Sequence, residues 1–253
     1  AVLLERIHEN LSKRRDVTIV AGCVDEGIEG YRPPSLECAR ELAESLGVRF
    51  ETVSYPELGF KEMDQVVTKM AEIKDRKAPC SYCGVFRRQG INHLAERVGA
   101  DVIALGHNLD DMAQTIMMNM QNGDIERTLR LAPHTSTPLA GMAPRIVPLR
   151  WIPEQEIHLY ALHKNLPIHH EECPHGDGAL RFRHRETIAM MEADVPGTRH
   201  GLLRMADDLK KLHASAGGTF NTIEPINCPE CGQICSGSLC KACEMKKAIM
   251  DED

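Results

Sequence analysis

The sequence predicts a parallel α/β sheet covered on both faces, followed by a small cysteine-rich module. Three observations lead there. Short β-branched runs alternate with amphipathic segments of helical period, the pattern of crossover units whose strands lie parallel. Acidic turns, CVDEGI at residues 23–28 and GHNLDD at residues 106–111, directly follow two of the strand-like runs; in parallel sheets ligands bind beyond the carboxyl ends of the strands. The last segment, CPECGQICSGSLCKAC, departs in composition from everything before it, which places a boundary near Ala216 and divides the chain into residues 1–216 and 217–253.

Each element follows from its local pattern. AVLLERIHENL opens the chain as an amphipathic helix with Leu3, Leu4, Ile7 and Leu11 on one face. VTIVAGCVDEGI is a buried strand whose carboxyl end presents Asp25 and Glu26. Ser35 is the expected N-cap of a helix over LECARELAESLGV, which Gly47 stops. VRFETVSY is the second strand and KEMDQVVTKMAEIKDR the next helix. The cycle then repeats as a helix over GINHLAERV, Gly99, a strand at residues 102–105, the polar turn and a further helix. RIVPL is another strand, and EQEIHLYALHKNL a helix after Trp151 and Pro153. PIHHEECPHG reads as a short extended piece and a turn; residues 179–213 are helical with an interruption at DVPGTRHG.

At 253 residues and 42% hydrophobic content, the chain can bury one sizeable core. It shows no run of 18 apolar residues and no secretory leader, so neither a membrane span nor a signal peptide is expected. A formal charge of -7 gives no global attraction for nucleic acid, which leaves local basic patches as the means of any RNA contact. Seven of the ten cysteines fall in two local groups and an eighth precedes a proline, a metal-ligand distribution that points to the reducing cytoplasm.

Cys228-x2-Cys231 and Cys240-x2-Cys243 have the spacing of a tetrahedral zinc ribbon, with Cys235 as a fifth thiol able to replace one ligand or stay free. With so few apolar residues around it, metal binding would supply most of the folding energy of this module. The other pair, Cys80 and Cys83 in APCSYCGVFRRQG, lacks two ligands. Cys173, followed by Pro174, is the better partner, whereas Cys23 and Cys38 read as buried apolar cysteines. His169, His170 and His175 are the other candidate ligands. Spacing leaves three readings of Cys80, Cys83 and Cys173 open: an iron-sulfur site, half of a zinc site, or a redox pair at a helix N-terminus.

In LGHNLDD, Gly106 and His107 follow an apolar strand, and Asp110 and Asp111 begin a helix. The two carboxylates can hold Mg²⁺ bridged to phosphates. They can equally be acids placed where the helix dipole favours them. Arg130, Arg145, Arg150, Arg181, Arg183 and Arg185 can grip phosphates or cover solvated faces.

Taken in order, VDEGIEGYR, CSYCGVFRR, LGHNLDD, RIVPLRWIPEQEI, EECPHG and the terminal double Cys-x-x-Cys resemble the tRNA 2-thiouridine synthetases of the TtcA/TtuA type, which include the archaeal and eukaryotic wobble-uridine thiolases. The resemblance implies a Rossmann-like PP-loop ATP-pyrophosphatase domain over residues 1–216 and a zinc ribbon over 217–253. It also implies a [4Fe-4S] cluster on Cys80, Cys83 and Cys173, with one iron free of protein ligands, and Zn²⁺ on Cys228, Cys231, Cys240 and Cys243. Asp111 resembles the catalytic acid, Arg87 stands near the reaction centre, and Asp25, Gly106, His107, Asp110 and Asp111 belong to the ATP and Mg²⁺ site. The family's phosphate loop, Ser-Gly-Gly-Lys-Asp-Ser, and its N-terminal zinc module do not occur in the sequence, which is expected to follow on from them.

The reaction so implied is adenylation of a tRNA uridine at its C2 oxygen, then displacement of AMP by sulfide, in a cytoplasmic homodimer. The sulfur comes from free sulfide or from a ubiquitin-like thiocarboxylate carrier. Two other readings stand beside it: the same reaction with Cys80 and Cys173 as a persulfide and disulfide couple and no cluster, and a tRNA-binding zinc-ribbon scaffold without catalysis.

Overall fold

The computed structural model describes residues 17–75, 77–133, 142–176, 179–218 and 224–250. The expected first helix, residues 1–11, lies outside them. The chain forms two compact units. One comprises Ala1–Ala100, Ala161–Asp177 and Lys241–Asp253; the other comprises Asp101–Tyr160 and Gly178–Cys240.

The first unit holds strand β1 (Val20–Asp25), helix α1 (Arg32–Ser45), strand β2 (Arg49–Ser54), helix α2 (Met63–Glu72) and helix α3 (Pro79–Arg97). β1 and β2 pair in parallel, Val20 opposite Arg49 through Asp25 opposite Ser54, with α1 as the crossover. That is the βαβ unit the alternation predicts. Helix α1 begins three residues before the expected cap at Ser35, because Pro33 falls in its first turn, where a fixed φ helps and a missing N–H costs nothing. Gly47 ends it as expected, in the left-handed region at φ 63°.

Helix α3 extends well N-terminal of GINHLAERV and takes the Cys-x-x-Cys pair into its opening turns, with Pro79 at the start. Three-residue spacing puts Cys80 and Cys83 on one helix face. Beneath them lies an aromatic layer: Phe60 stacks on Phe86 at 4.3 Å, and Tyr55 meets Phe86 edge-on at 5.6 Å. Gly90 lets α3 lie directly on β1; a Cβ there would stand 2.9 Å from both methyls of Val24.

In the second unit, strand β3 (Ile103–Ala104) pairs in parallel with β4 (Arg145–Ile146). Between them run helices α4 (Leu109–Gln121) and α5 (Ile125–Leu129). Helix α6 (Glu154–His163) follows Pro153 as expected, and the long helical stretch divides at the predicted interruption into α7 (Leu180–Asp194) and α8 (Thr198–Ser215). The core is an apolar seam between α4 and α8, in which Leu109, Met112 and Ile116 meet Leu203 and Ala206. Burying each of the larger side chains contributes roughly 1.5–3 kcal/mol. A short antiparallel pair, β5 (Ile226–Asn227) and β6 (Ile234–Cys235), and helix α9 (Lys241–Met250) complete the described chain. Met245 and Ile249 of α9 are buried, and the helix packs on α2 and α3. Among the described residues, no helix is long and apolar enough to cross a membrane.

Candidate functional site

β1 ends in a turn that carries Asp25, Glu26 and Gly27. Gly27 adopts φ 65°, and a Cβ on it would lie 2.5 Å from Glu62, so only glycine allows the turn to close on the start of α2. Asp25 accepts the Gly27 N–H at 3.0 Å, which gives its carboxylate a turn-forming role. Glu26, only 2% exposed, is bracketed by two arginines: Nε of Arg87 stands 2.7 Å from one oxygen and Nε of Arg32 2.6 Å from the other. Each guanidinium also reaches a sulfur. Arg87 Nη2 donates to Cys83 at 3.2 Å, and Arg32 Nη2 donates to Cys23 at 3.2 Å and to the Val24 carbonyl. Burial opposes the charge of Arg87, but Cys83 and Glu26 outweigh it and hold its pKa above the usual arginine value.

Cys83 is buried and Cys80 is exposed. Tyr55, wholly buried, donates its hydroxyl to the Cys83 carbonyl at 2.9 Å and stands 3.5 Å from the Cys83 sulfur. Desolvation, reinforced by Cys83, pushes the Tyr55 phenol well above its ordinary pKa, so it remains a donor.

Cys173, distant in sequence, joins this group. Its turn is closed by Gly176 N–H donating to the Cys173 carbonyl at 2.9 Å. Although Cys80 reaches solvent, the surrounding protein, then Cys83 and Cys173, raise its thiol pKa. Burial likewise raises Cys173, against a backbone N–H from His175 that favours its thiolate. Of the three candidate histidines, His175 is otherwise occupied: its Nε2 sits 2.5 Å from Asp64 Oδ1. His169 packs edge-on against Tyr31 at 5.4 Å. Cys23 and Cys38, expected to be core, are only half-buried.

In the second unit, the acids of LGHNLDD have defined partners. Asn108 and Asp111 form a reciprocal capping box at the start of α4, at 2.9 and 3.2 Å. Asp111 also pairs with Arg181 at 3.2 Å, which bonds Gln114 and Thr115 as well. Asp110 accepts the Glu154 N–H at 2.8 Å and pairs with Arg199 at 2.7 Å, so it fixes the start of α6. Both carboxylates thus meet helix-start requirements, Asp111 for α4 and Asp110 for α6. Gly106 faces open space, with nothing within 4 Å of where a Cβ would stand.

The terminal cysteines form a closed set. Sulfurs of Cys228, Cys231, Cys240 and Cys243 all lie within 4.8 Å of one another, and those of Cys231 and Cys240 are 3.6 Å apart. A tetrahedral ion with 2.3 Å bonds to sulfur would set them about 3.8 Å apart. Burial opposes ionisation of Cys228, but N–H donors of Cys240, Cys231 and Glu230 prevail and lower its pKa to about 6. Cys235 stays outside the set and donates to the Gly237 carbonyl at 3.2 Å. Among the described residues no other group of three or more His, Cys, Asp or Glu ligands is this tight.

Arg32, Tyr55 and Asp64 were not expected at the site, and Glu26 was named only as presented at the end of its strand. Their one signal in the sequence is proximity to the VDEGIEGYR motif, to which Glu26 and Arg32 belong. Tyr55 and Asp64 read only as strand and helix residues.

No family model matches the chain. It is 35% identical to tRNA 2-thiolation protein NcsA of Haloferax volcanii, in an alignment covering 98% of this chain and 78% of the relative. It is 34% identical to cytoplasmic tRNA 2-thiolation protein 1 of Aspergillus niger, over 98% of this chain and 70% of that one. The fold is similar to that of the U34-tRNA thiolase NcsA from Methanococcus maripaludis with its [4Fe-4S] cluster, at a TM-score of 0.78 and 28% identity over 98% of this chain and 76% of the other. With its α/β fold and its distant third cysteine brought to a Cys-x-x-Cys helix, the chain belongs to the family of tRNA thiolases that comprises NcsA and cytoplasmic tRNA 2-thiolation protein 1.

Proposed function

We propose that the protein 2-thiolates a tRNA uridine, with Cys80, Cys83 and Cys173 as ligands of a [4Fe-4S] cluster. The observation that carries this reading is that the Cys173 turn meets the opening of α3: the Cys80 sulfur stands 3.9 Å from the carbonyl of His175, two residues past Cys173. The donor set fits by its chemistry: three thiols that interact electrostatically can ligate three irons of a four-iron cluster and leave the fourth without a protein ligand. Bound there, the cluster supplies an iron without a protein ligand, a Lewis acid on which sulfur can be held. Tyr55 and Arg87 fix Cys83, and Arg87 adds positive charge beside the thiolates.

The nucleotide half of the reaction rests on family resemblance together with the open space around Gly106, just beyond β3. Asp25, Gly106, His107, Asp110 and Asp111 are the proposed ATP and Mg²⁺ residues, in a PP-loop ATP-pyrophosphatase domain over residues 1–216. The uracil C2 oxygen bonds to the α-phosphorus as the bond to pyrophosphate breaks; sulfide then adds at C2 and the C2–O bond leaves with AMP. Asp111 takes part only after leaving Arg181, which frees that guanidinium to grip phosphate. Residues 217–253 form the proposed zinc ribbon, with Cys228, Cys231, Cys240 and Cys243 holding a structural Zn²⁺. A homodimer and a sulfide or thiocarboxylate donor complete the proposal.

A persulfide route without a cluster asks Cys80 or Cys173 to act as a free thiolate, and both thiols have raised pKa values. Iron coordination deprotonates a thiol outright, so ligation is the better use of them. Anaerobic purification with iron and sulfide quantification tests the reading. About four irons per chain with Cys173 present, and loss of iron and thiolation in Cys173→Ser with zinc retained, is the expected result. A colourless, iron-free protein that still thiolates tRNA overturns it.

A further inference from the structure

We propose that Asp64 and His175 form a latch that holds the Cys173 turn against the Cys80–Cys83 helix, making both of them positioning residues for the sulfur site. The inference rests on the reading that the three cysteines work as one group.

His175 is the junction. Its ring nitrogen Nε2 sits 2.5 Å from Asp64 Oδ1. Its backbone N–H favours the Cys173 thiolate, and its carbonyl lies 3.9 Å from the Cys80 sulfur, within reach of that thiol. One residue thus touches a ligand from the loop, a ligand from α3 and a carboxylate on α2. Asp64 is anchored in turn: its second oxygen accepts the Glu29 N–H at 2.9 Å, and its own N–H points to the Gly27 carbonyl at 3.4 Å. The carboxylate therefore ties the turn after β1 to the turn at Cys173. Both side chains are partly open to water, Asp64 40% and His175 21% exposed, so the pair is screened to some extent.

His169, edge-on against Tyr31 at 5.4 Å, holds the loop four residues before Cys173. Residues 167–173 have no helix or strand structure, and the turn itself is closed by one backbone bond, Gly176 to Cys173. A segment of that kind wanders unless a side chain pins it. The two cysteines of α3 need no such help, because the helix fixes their spacing.

The test uses the full chain after removal of bound iron and compares thiol pairing. Diamide joins neighbouring thiols, taking up the two electrons and two protons that each pair releases. Peptide mapping then gives the ratio of the Cys80–Cys173 link to the Cys80–Cys83 link. The second link is internal to α3 and serves as the reference. We expect the ratio to fall about five- to tenfold in His175→Ala and less in Asp64→Asn, which keeps the acceptor for Glu29, since a charge-assisted hydrogen bond is worth more than a neutral one. His175→Gln, whose amide nitrogen reaches nearly the position of Nε2, should restore most of it, which no general loss of folding would do. A ratio in His175→Ala within twofold of the unsubstituted chain overturns the latch, as does a fall that His175→Gln does not rescue. Iron loading of the unsubstituted chain is measured in parallel: its failure removes the cluster reading, while the thiol ratio still decides the latch.

Discussion

Glu26→Gln removes one charge and no volume, which makes it the cleanest probe of the pair of arginines around the site. In the folded chain the carboxylate is 2% exposed and meets Arg32, whose side chain is 13% exposed, and Arg87, which is half open to solvent. Loss of one partner from a buried ion pair costs about 3–5 kcal/mol, mostly from the charge left behind. Arg87 can turn toward water. Arg32 cannot, although its bonds to Cys23, Ser35 and the Val24 carbonyl keep most of its N–H groups satisfied. The low end of the range therefore applies, about 3 kcal/mol. For a chain of this size that corresponds to a drop of about 6–12 °C in Tm. Urea and thermal unfolding of the full chain, at matched metal content, measure it, and an unchanged m-value shows that the denatured state is the same. The double variant Glu26→Leu with Arg32→Leu should recover much of the loss, because apolar replacements of both partners need no counter-charge. A loss below about 1 kcal/mol, the worth of an exposed pair, would show that Glu26 is solvated and that the proposed clamp on Arg87 does not exist.

Gly90→Ala should cost about 1–3 kcal/mol by unfolding, since the added methyl meets Val24 from the outset and α3 must lift from β1; an unchanged midpoint would mean that the contact is looser than the structure has it. In the metal-free protein, Cys228 makes the C-terminal module pH-sensitive. Its pKa is lowered in the fold to about 6 from an ordinary 9.0, so its contribution to stability is present above 9.0 and is lost as pH falls through 6. Hydrogen exchange of residues 226–243 across that window reads this out, and protection that rises as pH falls, after correction for intrinsic rates, would refute the sign.

The fold was readable where one residue type settles a backbone question. β1, β2 and their crossover follow from β-branched runs and from Gly47, and the division between α7 and α8 follows from Pro196 and Gly197. Ser35 misled because capping preference was weighed without the two prolines before it, which start the helix on their own. At the site, the cysteine spacings singled out the candidate ligands, since thiolate chemistry needs few residue types at fixed separations. The supporting residues were not legible. Tyr55, on the strand-to-turn junction, reads as an apolar strand residue, and its use as a donor to Cys83 depends on where α3 packs. Asp64 reads as a helix-start acid, and only the fold brings His175, 111 positions later, within 2.5 Å. Asp110 and Asp111 show the reverse case: a motif that suggests chemistry also satisfies ordinary helix-start requirements, so pattern alone cannot separate the two roles.

The two sulfur groups are built on opposite plans, and the difference bears on what each can do. The C-terminal set comes from sixteen consecutive positions, 228–243, and its knuckle is closed by local bonds such as Gly232 N–H to the Cys228 carbonyl at 2.8 Å. Backbone donors already favour the Cys228 thiolate, and four sulfurs enclose a single small volume. A metal held by four protein thiolates has no position left for a substrate, so such a set can stabilise but not react. The group at Cys80, Cys83 and Cys173 supplies only three sulfurs, and two of its thiols are harder to ionise than free cysteine. Thiolates there need positive charge from outside the set. Arg87 provides it, and an arginine suits the position because Nε must face Glu26 while Nη2 faces Cys83, two directions at once from one rigid fork. A lysine ammonium reaches one of those partners and leaves the other. The same fork reconciles a buried carboxylate with sulfurs that are anionic in the proposed cluster: Glu26 repels them from behind the guanidinium but fixes the cation that attracts them.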